Sequence, residues 1–311
     1  MSEAFYFGID GGGTHSRLAL TGAAGTVLAR VEAGSTNIYS VTRGEVFDNL
    51  SRLLNSALKA AGLQKEELAA GCLGSAGLGR PEEQKIFREF FDTLVGPGFP
   101  VRLCTDGEIL LCGGLGGPEG YCLIAGTGSL ALGRSAEGRL VRAGGHGYML
   151  GDEGAAAWIG KTAVARVLRS GEGRDLDSSM LEDILNFCRL KESSDLIRYV
   201  HHYADKAAVA ALAPVVSNAA RKGDPLALDI LMTGAAELCL LVKSVLDRSP
   251  WIGEKALVLA GGVMEHDEIL RGRLLELLAA DFPGLAVRES RGGALEGACF
   301  LAACCASRIK Q

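Results

Sequence analysis

The sequence predicts an α/β protein of two lobes, and three observations carry that prediction. A glycine-rich turn, Asp10-Gly11-Gly12-Gly13-Thr14, follows an apolar run and has an echo in Gly126-Thr127-Gly128-Ser129. Each turn sits among short strand-like segments that give way to segments of helical period. With 311 residues, the chain has the length of about two domains, enough for each half to bury its own core.

The elements follow in order. Ala4 to Ile9, Ser16 to Leu20 and Thr26 to Val31 read as strands joined by glycine-rich turns, an antiparallel meander. After the polar loop Gly34-Ser35-Thr36-Asn37, the stretch Gly44 to Ala61 spaces Val46, Leu50, Leu53, Leu54, Ala57 and Leu58 along one helix face. Leu68 to Leu73 is the next strand. It ends in Gly74-Ser75-Ala76-Gly77, and Pro81 then opens a helix bearing Ile86, Phe87, Phe90 and Phe91. Val101 to Thr105 forms another strand, and a short helix runs from Asp106 to Gly113-Gly114.

The second half repeats the plan. Tyr121 to Ile124, Leu130 to Leu132 and Gly138 to Val141 mirror the meander. Val258 to Val263 followed by Asp267-Glu268 mirrors Leu73 to Leu78 followed by Pro81-Glu82-Glu83. Two βββαβα-like units result. Between the second meander and Ala256 lie helices over Ala155 to Leu168, Met180 to Phe187, Ala207 to Ala220 and Leu226 to Leu246, read as an insertion in the second lobe at about 152–248. A last helix, Ala294 to Ile309, is expected to pack back on the first lobe. The domain expectation is therefore 1–116 with 294–311 returning to it, and 117–293 as the second lobe.

Composition narrows the function classes. A hydrophobic share of 48% with 22% charged residues fits a globular chain. The net charge of −5, with basic residues scattered, excludes a broad nucleic-acid surface, so an anion must be held by a local site. No segment approaches the roughly 20 uninterrupted apolar residues of a spanning helix, and Met1 to Ala4 lacks the charged start of a signal peptide. No membrane partner and a cytoplasmic location are expected. The nine cysteines form no Cys-x-x-Cys pair and mostly sit in apolar runs, as buried thiols do. Vicinal Cys304 and Cys305 read as packing residues or as an oxidant sensor.

Phosphoryl transfer from ATP needs positioning, charge neutralisation and a base near the acceptor. The turns at Gly11 to Thr14 and Gly126 to Ser129 can hold phosphates through backbone N–H groups and the hydroxyls of Thr14, Thr127 and Ser129. Asp10 stands where a water-clad Mg²⁺ would be held. Gly261-Gly262, at a strand end, leave bare backbone on which adenosine can lie. Asp106 ends a strand and begins a helix, which suits a general base as well as a plain N-cap. Asp152, in Gly151-Asp152-Glu153-Gly154, carries the same two readings. A match of Gly126 to Ala131 to the dinucleotide-binding pattern is set aside because a strand follows it, not a helix. His15 and His146 have no second ligand at metal spacing, so local hydrogen bonding is expected.

These elements in register, with Thr105-Asp106-Gly107, Gly144-Gly145-His146-Gly147, Leu150 to Gly154 and Ala260 to Val263, resemble the BadF/BadG/BcrA/BcrD-type ATPase family. The likeness is to its N-acetylglucosamine kinase branch and covers nearly the whole chain. It implies the actin-like ATPase fold, two ribonuclease H-like lobes that close on ATP and sugar. It implies the metal-water role for Asp10 and phosphate contacts for Gly12, Thr14, Thr127 and Gly128. Nucleotide contacts fall to Gly261 and Gly262. Asp106 becomes the base that takes the proton of the sugar 6-hydroxyl, while Asn37, Gly145 and Asp152 hold sugar hydroxyls. A homodimer is the expected assembly. Leu130 stands where some N-acetylglucosamine kinases have Asn, which leaves N-acetylglucosamine, glucosamine, N-acetylmuramic acid and glucose open as acceptors.

Two other readings compete. An ATP-driven activator of a dehydratase or reductase would carry a shared iron–sulfur cluster, with Cys122 near the second glycine turn as its loosest signal. A sugar-sensing regulator is disfavoured because both carboxylates are present and no DNA-binding helices precede Phe5.

Overall fold

The computed structural model describes residues 4–308. The chain divides into two compact units. One takes the chain up to Gly120, the segment Arg134–Gly138 and everything from Glu289 on; the other takes Tyr121–Gly133 and Arg139–Arg288.

The first unit begins with β1 (Phe5–Gly11), β2 (His15–Gly22) and β3 (Val27–Gly34), followed by α1 (Arg43–Ala61), β4 (Leu68–Ser75), α2 (Pro81–Val95), β5 (Val101–Cys104) and α3 (Asp106–Leu115). Its sheet runs β3-β2-β1-β4-β5. β1 and β2, and β2 and β3, pair antiparallel, while β4 lies parallel to both β1 and β5. Local sequence fixes the helices. Thr42 and Glu45 form a reciprocal capping box at the start of α1, and Gly62, at φ 68°, ends it in the left-handed region. The core of this unit centres on Phe7, whose ring stacks 5.9 Å from Phe91.

The second unit contains β6 (Gly120–Ala125), β7 (Ser129–Arg134) and β8 (Leu140–Gly144). The helices α4 (Ala156–Gly171), α5 (Met180–Cys188), α6 (Ser193–His202), α7 (Lys206–Ala210), α8 (Ala213–Arg221) and α9 (Pro225–Arg248) follow. The chain then forms β9 (Ala256–Ala260), α10 (Gly262–His266), α11 (Glu268–Asp281) and β10 (Ala286–Arg288). The sheet order β8-β7-β6-β9-β10 reproduces that of the first unit, with β6, β9 and β10 parallel. The expected repeat is therefore a repeat of topology. Its core packs Tyr121 and Leu123 of β6 against Ile159, Ile230 and Leu238 of the helices.

Three expectations are corrected. The single helix over Ala207 to Ala220 is two helices, because Pro214 has no N–H to continue the ladder and sits in the first turn of α8. α6 was not foreseen, since its few apolar residues lie among charges. α9 is long and apolar enough to cross a membrane, at 24 residues and mean hydropathy 1.8, yet half of that stretch is buried in the second unit. Asp229, Glu237 and Lys243 interrupt it. The expected end of the last helix at Ile309 lies outside the described residues.

That helix, α12 (Ala294–Arg308), packs on α3, β1 and β4 of the first unit. The approach to α3 is close enough that a Cβ on Gly297 would lie 1.8 Å from the carbonyl oxygen of Ile109. Parallel pairing brings the C-terminal ends of β1, β4 and β5 to one edge, which is where open α/β sheets bind ligands. Gly297→Ala gains about 1 kcal/mol of helix propensity but must push two backbones apart, so urea denaturation should show a net loss of about 1–3 kcal/mol. An unchanged midpoint would contradict this packing.

Candidate active site

The first glycine turn is shorter than its sequence suggests. Gly11 is the last residue of β1, paired with Ser16 and Ser75, and the turn itself is Gly12 to Thr14. Gly11 is glycine because a Cβ there would lie 2.4 Å from Thr36 Oγ1, and Gly12 because its Cβ would meet the His15 carbonyl at 2.3 Å. Buried hydroxyls hold the turn. Ser16 accepts from the Gly12 N–H at 3.3 Å and hydrogen-bonds Thr36 at 2.9 Å, while Ser35 donates to the Gly12 carbonyl at 3.1 Å. Gly13 and Thr14 are exposed. Asn37 accepts from the Tyr39 N–H through Oδ1 at 2.9 Å, which fixes the side chain and leaves its NH₂ as a donor beside Gly13.

Asp10, at the end of β1, accepts from Arg17 Nη2 at 2.6 Å. That hydrogen bond raises the Arg17 pKa above its ordinary value, so the guanidinium stays a fixed counter-charge. One carboxylate oxygen of Asp10 remains for other ligands. No group of three or more His, Cys, Asp or Glu able to hold a metal occurs among the described residues. A single carboxylate fits an ion that keeps most of its waters and takes its other ligands from phosphates, which is how Mg²⁺ is usually held.

Asp106 is not the cap of α3. Thr105 is, accepting from the Glu108 N–H through Oγ1. Asp106 occupies the first helical turn, exposed, with Oδ1 accepting from the Gly107 N–H at 2.9 Å, so Oδ2 is open to solvent and to a substrate. Behind it, buried Glu108 accepts from Arg102 at 2.5 Å and from Arg134 at 3.1 Å. Burial works against the Arg102 charge, but Glu108 outweighs it and the pKa is raised. This network, which sequence reading missed, fixes the turn that carries Asp106.

In the second unit, the turn Gly126 to Gly128 closes with the Gly126 N–H donating to the Gly128 carbonyl at 3.0 Å. It is seated on the start of α4, where the N–H groups of Ala156 and Ala157 donate to the carbonyls of Gly126 and Thr127. The N–H groups of Thr127 and Gly128 take no part in those ties, and Thr127 is exposed. Ser129 requires a correction. It is 2% exposed and its hydroxyl donates to the Glu153 carbonyl at 2.8 Å, so it anchors the turn and has no proton left for a phosphate. The Gly145 N–H is likewise taken, by the Ser129 carbonyl at 2.8 Å, and its carbonyl accepts from Arg142 Nη2 at 3.0 Å, which leaves one lone pair of that oxygen. Leu130 lies against Gly145.

Asp152 caps nothing either, since Ala155 precedes α4. It is buried, with φ 63°, a left-handed conformation that Asp tolerates better than most residues. Its Oδ1 accepts from the Ser129 N–H at 3.3 Å and its Oδ2 from Lys206 Nζ at 2.9 Å. Lys206, unmarked by any sequence signal, opens α7. The next turns of that helix line a cavity of about 600 Å³ with Thr127, Ala156, Pro214, Gly262 and His266. Gly126 and Gly262, which line it too, carry no side chain, and Gly261 precedes the second of them. Gly261, at φ 98°, could carry no Cβ, which would lie 2.6 Å from Ala125. The helix break before Pro214 shapes the opposite wall, and the run of small residues from Ala207 to Ala213 was the sequence signal for it.

Other expectations fall away. His15, at the start of β2, and His146, in the loop after β8, are exposed and make no side-chain hydrogen bond among the described residues. Cys122 is wholly buried within β6, which puts its sulfur out of reach of a cluster shared at a surface.

The model of the BadF/BadG/BcrA/BcrD ATPase family matches residues 7–299. An N-acetylmuramic acid/N-acetylglucosamine kinase of Clostridium acetobutylicum is 35% identical over 300 residues, spanning 96% of this chain and 98% of the relative. An N-acetyl-D-glucosamine kinase of Dictyostelium discoideum is 28% identical over 97% of this chain and 98% of its own length. A solved structure from Chromobacterium violaceum, assigned as an N-acetylglucosamine kinase, is similar with a TM-score of 0.71 and 29% identity, over 97% of this chain and 99% of that one.

Lys206→Met removes the counter-charge of a buried carboxylate. Stability should fall by about 2 kcal/mol, below the range for a fully buried pair because Lys206 is partly exposed, and adding Asp152→Asn should restore most of it. Denaturation midpoints check this; a Lys206→Met protein as stable as the original would remove the pair from the account.

Proposed function

The chain belongs to the BadF/BadG/BcrA/BcrD ATPase family, and on that premise we propose that it transfers the γ-phosphoryl group of ATP to the 6-hydroxyl of an amino sugar. N-acetylglucosamine leads as acceptor, with N-acetylmuramic acid and glucosamine beside it. The observation that carries the proposal is Asp106, an exposed carboxylate relieved of capping by Thr105 and mounted on a turn clamped by Glu108.

In this reading Asp106 Oδ2 accepts the proton of the sugar hydroxyl as its oxygen bonds to the γ-phosphorus and the bond to ADP breaks. In the first unit Asn37 has an NH₂ suited to a sugar hydroxyl; in the second, Gly145 has the remaining lone pair of its carbonyl, and Asp152 a carboxylate for which a sugar would compete with Lys206. Leu130 supplies an apolar contact where a polar one would favour a bare hydroxyl, which suits the methyl of an N-acetyl group. In the first unit the groups that suit phosphate are Gly13 and Thr14, the Gly12 N–H being given to Ser16, and in the second unit they are Thr127 and Gly128. The adenosine occupies the small-residue cavity over Gly261 and Gly262. Mg²⁺, which Asp10 would hold through water, supplies neutralisation of phosphate charge. A cytoplasmic homodimer is part of the same proposal, and light scattering at the monomer mass would remove the dimer.

A coupled ADP-release assay over hexoses and amino sugars should give turnover with N-acetylglucosamine or N-acetylmuramic acid. Asp106→Asn should lower kcat by about 10²–10⁴ while the protein stays folded. No turnover with any sugar, or near-normal turnover in the folded variant, would overturn the assignment.

A further inference from the structure

The first unit holds a second cavity, of about 560 Å³, that the proposed chemistry leaves unused. It lies against the start of β5 and the last turns of α12, whereas Asp106 follows the other end of β5. Three arginines line it, Arg88 from α2, Arg102 from β5 and Arg134, and no carboxylate stands among its lining residues.

The charge balance there is uneven. Arg102 and Arg134 share one oxygen of Glu108, at 2.5 and 3.1 Å. Arg134, 2% exposed, directs a further N–H to the Pro118 carbonyl at 2.5 Å. Arg102 Nε is buried and has no hydrogen-bond partner among the described residues. Arg88 is half-buried and makes no hydrogen bond or ion pair among the described residues. Unpaired donors and surplus positive charge in a partly closed space are costly unless an anion meets them. Guanidinium forks fit the oxygens of phosphate in pairs. The cavity exceeds a lone phosphate in volume, and Leu103, Pro118 and Leu301 give it an apolar side on which the face of a small ring can rest.

We propose that this cavity binds a phosphate group, either free or as the monoester of a small sugar. The site goes beyond the kinase reading and stands without it. Because two of its arginines grip Glu108 in the first turn of α3, a bound phosphate also restrains the turn that carries Asp106.

The test is calorimetric titration of inorganic phosphate, and separately of a hexose 6-phosphate, into the full chain saturated with a non-hydrolysable ATP analogue, so that phosphate sites of the nucleotide are filled. One phosphate should bind per chain. Its affinity should drop about tenfold in Arg88→Ala and partly recover in Arg88→Lys, with analogue affinity the same in all three proteins. A tighter hexose 6-phosphate identifies the ester as the ligand; equal or tighter inorganic phosphate identifies the free ion. No binding to the saturated protein, or equal affinity in Arg88→Ala, would overturn the site. If the analogue itself fails to bind, the nucleotide reading fails, and titration without it still decides this one.

Discussion

Backbone meeting backbone where no side chain fits is the constraint on which both units depend. Gly261 touches Ala125 and Gly126, Gly12 touches His15, and Gly297 touches Ile109, each at a distance no Cβ permits. Contacts of this kind bring β9 alongside the second glycine turn, tighten the first, and seat α12 on α3. In the second glycine turn, the N–H groups of Thr127 and Gly128 take no part in the backbone ties, and anionic groups can approach closely there. Packing and anion binding therefore ask for the same residues, and the half-fold repeats both demands in its second copy.

Asp10 near the end of β1, Asp106 at the start of α3 and Asp152 in the loop before α4 are each held differently. Asp10 is paired with a fixed guanidinium. Asp152 is buried, left-handed and neutralised by Lys206. Asp106 is exposed and has no countercharge of its own, its turn secured from behind by the Arg102–Glu108–Arg134 network and not by any bond to its Oδ2. Such a division suits one group that exchanges a proton and two that orient other charges.

Much of this was legible in the sequence because the signals were local. The meanders, the Pro81 helix start, and the glycine echo are all written in neighbouring residues. What escaped was set by distant partners. Ser129 looked like a phosphate ligand until Glu153 claimed its hydroxyl. Capping was ambiguous at Asp106 because Thr105 and Asp106 are both competent caps, and only backbone geometry chooses between them. Lys206 and Glu108 carry no motif, since their partners lie far along the chain. The helix break at Pro214 was readable from the proline itself, yet the apolar period across Ala207 to Ala220 masked it.

The central claim is that the second unit receives the nucleotide against Gly126 and Gly262, in the cavity lined by α4, α7 and α8. A crystal structure with a non-hydrolysable ATP analogue tests it most directly. The account predicts the adenosine against Gly261 and Gly262, within reach of Pro214. Density for the analogue away from that cavity, with the cavity itself filled only by solvent, would contradict it.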